Sequence, residues 1–298
     1  MPPCFFTMFE RIIQALHTDA PGDEEPSATR ERLKACFPPG AARRMTQLGM
    51  LVSAALARVA PGADDAIIHA TQFGEGRALE SFLESFPSAS PTGFQTSIHP
   101  GAVQQGMIRR AQPVRELFPM AGGAFLPGQA LLAAMLSPAP RAVLCGGEER
   151  GTWLREVGAA SGATFAYALA LARPAEGEAQ RGAGIPPEGE KPLSSIPSGQ
   201  DGAPGNPQKI PNSPAPKSQP RDGPDGFGRD HDACETHASH GHDRGAPGRA
   251  LGRVLLAPVD GPAAGLAPAE WFALLHGRKN FNGVVAPGWR LRLDWSDA

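Results

Sequence analysis

The chain has 298 residues, of which 36 are Gly and 32 are Pro, with a formal net charge of -2 and a pI near 6.5. That balance gives no electrostatic reason to expect a nucleic acid or an anionic membrane surface as partner. Four cysteines, at 4, 36, 145 and 234, lack paired short spacings, which fits a reducing, cytoplasmic setting better than a disulfide framework.

The opening MPPCFFTMFERIIQALH carries an acid and a base inside its apolar run and has no basic start, so it does not read as a signal peptide. No stretch reaches the roughly 20 apolar residues that a membrane-spanning helix needs. Residues 5–17 show helical and strand periods together and are assigned to a helix; residues 1–39 as a whole are read as an N-terminal extension. After an acidic, turn-rich stretch, Pro38-Pro39-Gly40 sets up a helix start. In 41–59, Met45, Leu48, Val52, Leu56 and Val59 recur at steps of three and four, a single stripe that means core packing.

Residues 66–71 form a short strand of the buried type that leads through Phe73-Gly74-Glu75-Gly76 into a helix over 77–86. Leu79, Phe82, Leu83 and Phe86 give that helix an apolar face, which Pro87 ends. A strand, a Gly-containing turn and a helix also begin a phosphate-binding loop, but the third Gly and the P-loop Lys are missing. Thr96-Ser97 caps the next helix, with Pro100 in its first turn and a small, smooth face made by Ala102, Val103, Gly106 and Met107. His99 stands at its start. As a general base it would need a nucleophile within about 3 Å, and none is named nearby, so a capping or core role is the reading.

The next segment runs strand (113–118), small-residue turn (Met120-Ala121-Gly122-Gly123-Ala124), helix (125–136) and strand (142–145), and ends in Gly146-Gly147-Glu148. A helix launched from such a turn can present a nucleophile or an oxyanion donor at its N-terminus, where unpaired N–H groups and the helix dipole favour negative charge. From Phe118 to Gly128 there is no Cys, Ser or Thr. Cys145 is the substitute to weigh, but a buried strand thiol with no base behind it has a raised pKa and little reactivity. Glu148-Glu149 reads as a solvated or loop-anchoring pair rather than a general acid.

Residues 163–172 are a fully buried strand. From 174 to 250 only a few apolar residues interrupt Pro, Gly, Ser and mixed charge, which predicts a disordered insert. Within it His231, Cys234, His237, His240 and His242 could bind a transition metal weakly; with no rigid shell behind them, no functional metal site is expected. A strand at 253–259 is expected to pair with 163–172, with the insert as a long hairpin tip, because loop closure costs little per added residue. A helix over 268–276 and an alternating strand over 288–295 follow, and His276 is the last place to look for a catalytic partner.

The order of elements over 94–149, the Gly-Gly-Glu ending and Arg43-Arg44-Met45 ahead of a small-residue helix resemble the amino-terminal half of a β-ketoacyl synthase. The resemblance implies an α/β, thiolase-like fold, a mixed sheet with helices on both faces. It covers 40–172 and, more loosely, 251–298, so that 40–173 and 251–298 make one domain around the insert. In active synthases the turn carries a Cys, and counting back from Gly146 puts that position at Ala121, so the nucleophile is lost. The similarity is to single-lobed proteins grouped with the chain-length factors of aryl-polyene and related polyketide pathways. It implies a silent subunit that docks on an active ketosynthase through 113–118 and shapes the tunnel for an acyl chain carried on an acyl carrier protein. Met120, Gly122, Gly123 and Phe125 would be its binding residues, no cofactor would be needed, and the helix after His99 would pack against the helix that follows the turn. Two other readings stay open: a residual acyltransferase, thioesterase or malonyl decarboxylase, the first two using Cys145 and His99, and a scaffold that recruits through the His-rich insert.

Overall fold

The computed structural model describes residues 8–98, 101–109, 113–174, 242–244, 250–262 and 264–296. The predicted insert therefore lies outside the described residues except at its ends and at 242–244. In chain order the elements are β1 (Phe9–Asp19), α1 (Pro26–Leu33), α2 (Gln47–Val59), β2 (Ala66–Thr71), α3 (Gly76–Glu84), α4 (Pro91–Ser97), α5 (Gly101–Arg109), β3 (Glu116–Ala121) and α6 (Leu126–Leu136). There follow β4 (Arg141–Glu148), α7 (Trp153–Glu156), β5 (Phe165–Ala172), β6 (His242–Arg244), β7 (Gly252–Pro258), α8 (Pro268–His276), β8 (Phe281–Ala286) and β9 (Trp289–Trp295).

These strands make one mixed sheet in the order β3-β2-β4-β5-β1-β7-β9-β8, with the short β6 also pairing to β1. β2 runs parallel to β3 and β4, whereas β5 is antiparallel to both of its neighbours, β4 and β1. Two expectations are corrected here. The segment read as a helix in an N-terminal extension is a strand at the centre of the sheet. β1 also separates β5 from β7, so 163–172 and 253–259 do not pair with each other; each pairs with β1. The cause of the misreading is local: the register of β1 shifts between Ile13 and Ala15, which breaks the period of two that marks a strand.

Alternation along the strands divides the core in two. Phe165, Tyr167, Leu169 and Leu171 of β5 face one side with Leu144, Leu126, Leu131 and Trp271, so α6 and α8 cover that face. Ala166, Ala168 and Ala170 face the other side with Val143, Cys145 and the apolar residues of α2. The row of alanines lets α2 lie close to the sheet, and every residue from Gln47 to Leu56 is buried. α5 packs on α2: the Ser53 hydroxyl donates to the Ala102 carbonyl at 2.9 Å, and a Cβ on Gly106 would stand 2.8 Å from Ser53 Oγ. The expectation that this helix meets the one after the turn fails, because α6 belongs to the opposite core.

The apolar face of α3 is not part of either core. This helix turns Glu80 inward, while Phe82 packs edge-on against Phe86 at 5.3 Å and against Phe94 of α4 at 5.5 Å. Arg11 of β1 is fully buried and donates to the carbonyls of Ser137 at 2.8 Å, Ala139 at 3.1 Å and Pro140 at 3.3 Å, tying the central strand to the α6–β4 connection. Burial, and secondly Arg173, bring its pKa down to about 10. Cys145 is free, whereas Cys36 is disulfide-bonded, which its sequence spacing did not suggest.

Candidate functional site

Among the described residues β3 is the outermost strand on its side of the sheet, and its last residue, Ala121, lies in register with Thr71 of β2. The chain then turns through Gly122-Gly123-Ala124-Phe125 into α6, with no side-chain cap at the helix start and Pro127 in its first turn. A glycine is needed at 128 because a Cβ there would stand 2.7 Å from the Val285 carbonyl of β8. The loop ahead of α8 closes on the same turn: Leu266 N–H donates to the Ala124 carbonyl at 2.6 Å, and Gly265, at φ 75°, lies against Ala124 and Phe125. Met120, Gly122, Gly123 and Phe125 thus sit together at the exposed end of an edge strand. Their side chains offer no oxygen or nitrogen, and the only sulfur is the thioether of Met120. This turn cannot supply a nucleophile.

Cys145 does not supply an accessible nucleophile either. It is fully buried in β4, in register with His69 and Ala168, and belongs to the α2 face of the sheet, while Met120 and Leu126 pack on the other face. Burial raises its thiol far above the ordinary range, so it stays protonated. His99 lies outside the described residues. His276 is engaged elsewhere, with Nδ1 3.0 Å from the Thr18 hydroxyl and its ring stacked on Phe272. Among the metal candidates, His231, Cys234, His237 and His240 lie outside the described residues, and of His242 only the backbone, in β6, is described. Among the described residues no group of three His, Cys, Asp or Glu is placed to hold a metal ion.

The Gly-Gly-Glu ending has a structural reason. A Cβ on Gly146 would overlap the Ala70 carbonyl of β2, and one on Gly147 the Phe165 carbonyl of β5, so both glycines let neighbouring backbones close in. Glu148 then accepts from Phe73 N–H at 3.2 Å, from the Thr71 hydroxyl at 3.1 Å and from Gln72 N–H, holding the β2–α3 turn. Glu149 accepts from Leu48 N–H at 3.2 Å and Arg77 N–H at 2.8 Å, the starts of two helices. The pair anchors loops, and it is buried rather than solvated. Burial pushes Glu148 up to about 7. Glu75 and Glu80 join them, and neither was legible as a buried acid; the only sequence signal was the position of Glu75 between two turn glycines.

Beside β3, on the α5 side, lies an apolar cleft of about 610 Å³ lined by Val103, Met107, Ile108, Pro113, Val114 and Leu117, with Gln104 at its rim. Ile108 is 77% exposed and Phe118, on the opposite side of the same strand, 42%. Apolar surface therefore flanks the free edge on both faces.

No known family profile matches the chain, and no curated protein does. Among solved structures, it is similar to a chain in the complex of a ketosynthase with its chain length factor from Xenorhabdus doucetiae, at 14% identity and a TM-score of 0.52, covering 95% of this chain and 98% of that one. The ishigamide ketosynthase/chain length factor follows at 15% identity and a TM-score of 0.42 (56% of this chain, 63% of that one). A β-ketoacyl synthase from Burkholderia phymatum STM815 follows at 13% identity and a TM-score of 0.39 (59% and 61%). What the first likeness shows is the fold, which is thiolase-like and β-ketoacyl synthase-like. It extends from end to end of both chains. No described helix is long and apolar enough to cross a membrane.

Proposed function

We propose that this chain is a non-catalytic, chain-length-factor-type partner of an active ketosynthase, serving acyl chains held on an acyl carrier protein in fatty acid or polyketide synthesis of the aryl-polyene kind. The observation that carries the reading is the turn at 121–125, Ala-Gly-Gly-Ala-Phe, which offers no nucleophile where the resemblance to condensing enzymes would put a thiol, at the end of a strand on the edge of the described sheet. Such an edge leaves backbone donors and acceptors unpaired and is a template for a strand from another chain. The apolar cleft and Phe118 beside it supply the surface that a partner would cover, and Met120, Gly122, Gly123 and Phe125 would meet the partner and the acyl chain. End-to-end likeness to a chain from a ketosynthase and chain length factor complex supports the same reading. On this reading 40–173 and 251–298 belong to one domain, with β1 as its central strand, and the protein works in the cytoplasm.

Co-expression with an active ketosynthase from the same source, followed by light scattering of the purified material, tests the proposal. The expected result is one complex of the summed mass. Two separately eluting proteins would overturn it.

A further inference from the structure

Where α2, α3 and α5 begin, two carboxyl groups are held out of reach of solvent. Glu75 is 4% exposed and Glu149 1%. Both sit on the first turn of α2. The Thr46 hydroxyl accepts from Gly49 N–H at 2.8 Å and donates to Glu75, while Leu48 N–H donates to Glu149. A Cβ on Gly101, at the start of α5, would stand 3.8 Å from Glu75 Oε1, and Arg77 N–H at the start of α3 donates to Glu149.

The charged groups around the pair are mostly acidic. Glu80 of α3 and Glu148 of β4 add negative charge, and among the described residues Arg77 of α3 is the cation that acts on Glu149, with its guanidinium hydrogen-bonded to Glu25. From α2 and α5 the facing side chains, Thr46 and Gln105, carry no charge. Among the described residues no side-chain cation hydrogen-bonds to either carboxyl. The partial charge of the helix starts can hold one carboxylate but is too small for two side by side.

We infer that Glu75, buried on the first turn of α2 with the Thr46 hydroxyl as its hydrogen-bond partner and Glu149 nearby, keeps its proton in the folded chain, so that the join between the starts of α2, α3 and α5 weakens as that proton is removed. In support, burial and then the neighbouring Glu149 raise Glu75 from an ordinary 4.5 to about 8. Above pH 4.5 the unfolded chain has released a proton that the folded chain keeps until about pH 8, so folding takes up a proton and stability falls as pH rises across that window. One such proton changes the folding equilibrium about tenfold per pH unit.

The test is urea unfolding of the full chain between pH 6 and 8, wild type against Glu75→Gln, which mimics the protonated acid. The fall in the wild-type folding constant should exceed that of the variant by about tenfold per pH unit. Parallel curves would overturn the inference. Carboxyl carbon NMR of the glutamate-labelled wild type needs no variant and holds if Glu75→Gln does not fold. A glutamate still protonated at pH 7.5 is expected, and full ionisation of every glutamate at that pH would overturn it.

Discussion

Neither Ala121 nor Cys145 offers an accessible thiol. At 121 the side chain is a methyl group, and at 145 the thiol is enclosed among Val143, Ala168 and α2, where ionisation would place a charge in an apolar core. The consequence is measurable. Iodoacetamide applied to the native protein should leave the Cys145 peptide unmodified over hours, and the same reagent in denaturant should modify it fully. Native labelling at the rate of a surface thiol would revive the acyl-transfer reading.

At the scale of elements, close backbone approach decides what the sequence can be. α6 crosses β8 at Gly128, where an added methyl group would press on the Val285 carbonyl. Two effects oppose each other in Gly128→Ala: better helix propensity gains about 1 kcal/mol, and overpacking against a backbone that cannot move aside costs about 1–3 kcal/mol. Because Val285 is held in β8, the cost should win, with a net loss of up to about 2 kcal/mol in urea unfolding. Unchanged or higher stability would mean that β8 does not bear on α6 in solution. The Gly146-Gly147 pair obeys the same geometry inside the sheet.

For the whole molecule the governing feature is asymmetry between the sheet's two ends. Beyond β1 the sheet continues through β7, β9 and β8, while on the other side it stops at β3 with apolar surface on both faces. Ile108 and Phe118 are exposed in the single chain, so Ile108→Lys and Phe118→Lys should leave its Tm within about 2 °C of wild type, as surface changes do. If a ketosynthase docks there as proposed, each should weaken that complex at least about tenfold, as lysines forced into an apolar contact would. Full affinity in both variants would place the partner elsewhere.

Much of this architecture was written in local patterns. The stripe Met45, Leu48, Val52, Leu56 and Val59, the apolar runs of β2, β4 and β5, and the turn without a nucleophile follow from residues a few positions apart, because burial periodicity and side-chain chemistry are properties of short segments. The identity of β1 was not legible in that way. Its alternation breaks at a register shift, and its partners β5 and β7 begin more than 150 and 240 residues further on. The buried acids were hidden for a related reason: a glutamate's sequence neighbours do not reveal that three helix starts and a strand end converge on it. Chain-local chemistry determined that the turn from Met120 to Phe125 holds no nucleophilic side chain. Only the assembled sheet decided that Cys145 is sealed on the α2 face, that Glu75 and Glu149 are both buried at the start of α2, and that the turn after β3 sits at the edge of the described sheet, since each depends on contacts that exist only once distant segments have packed together.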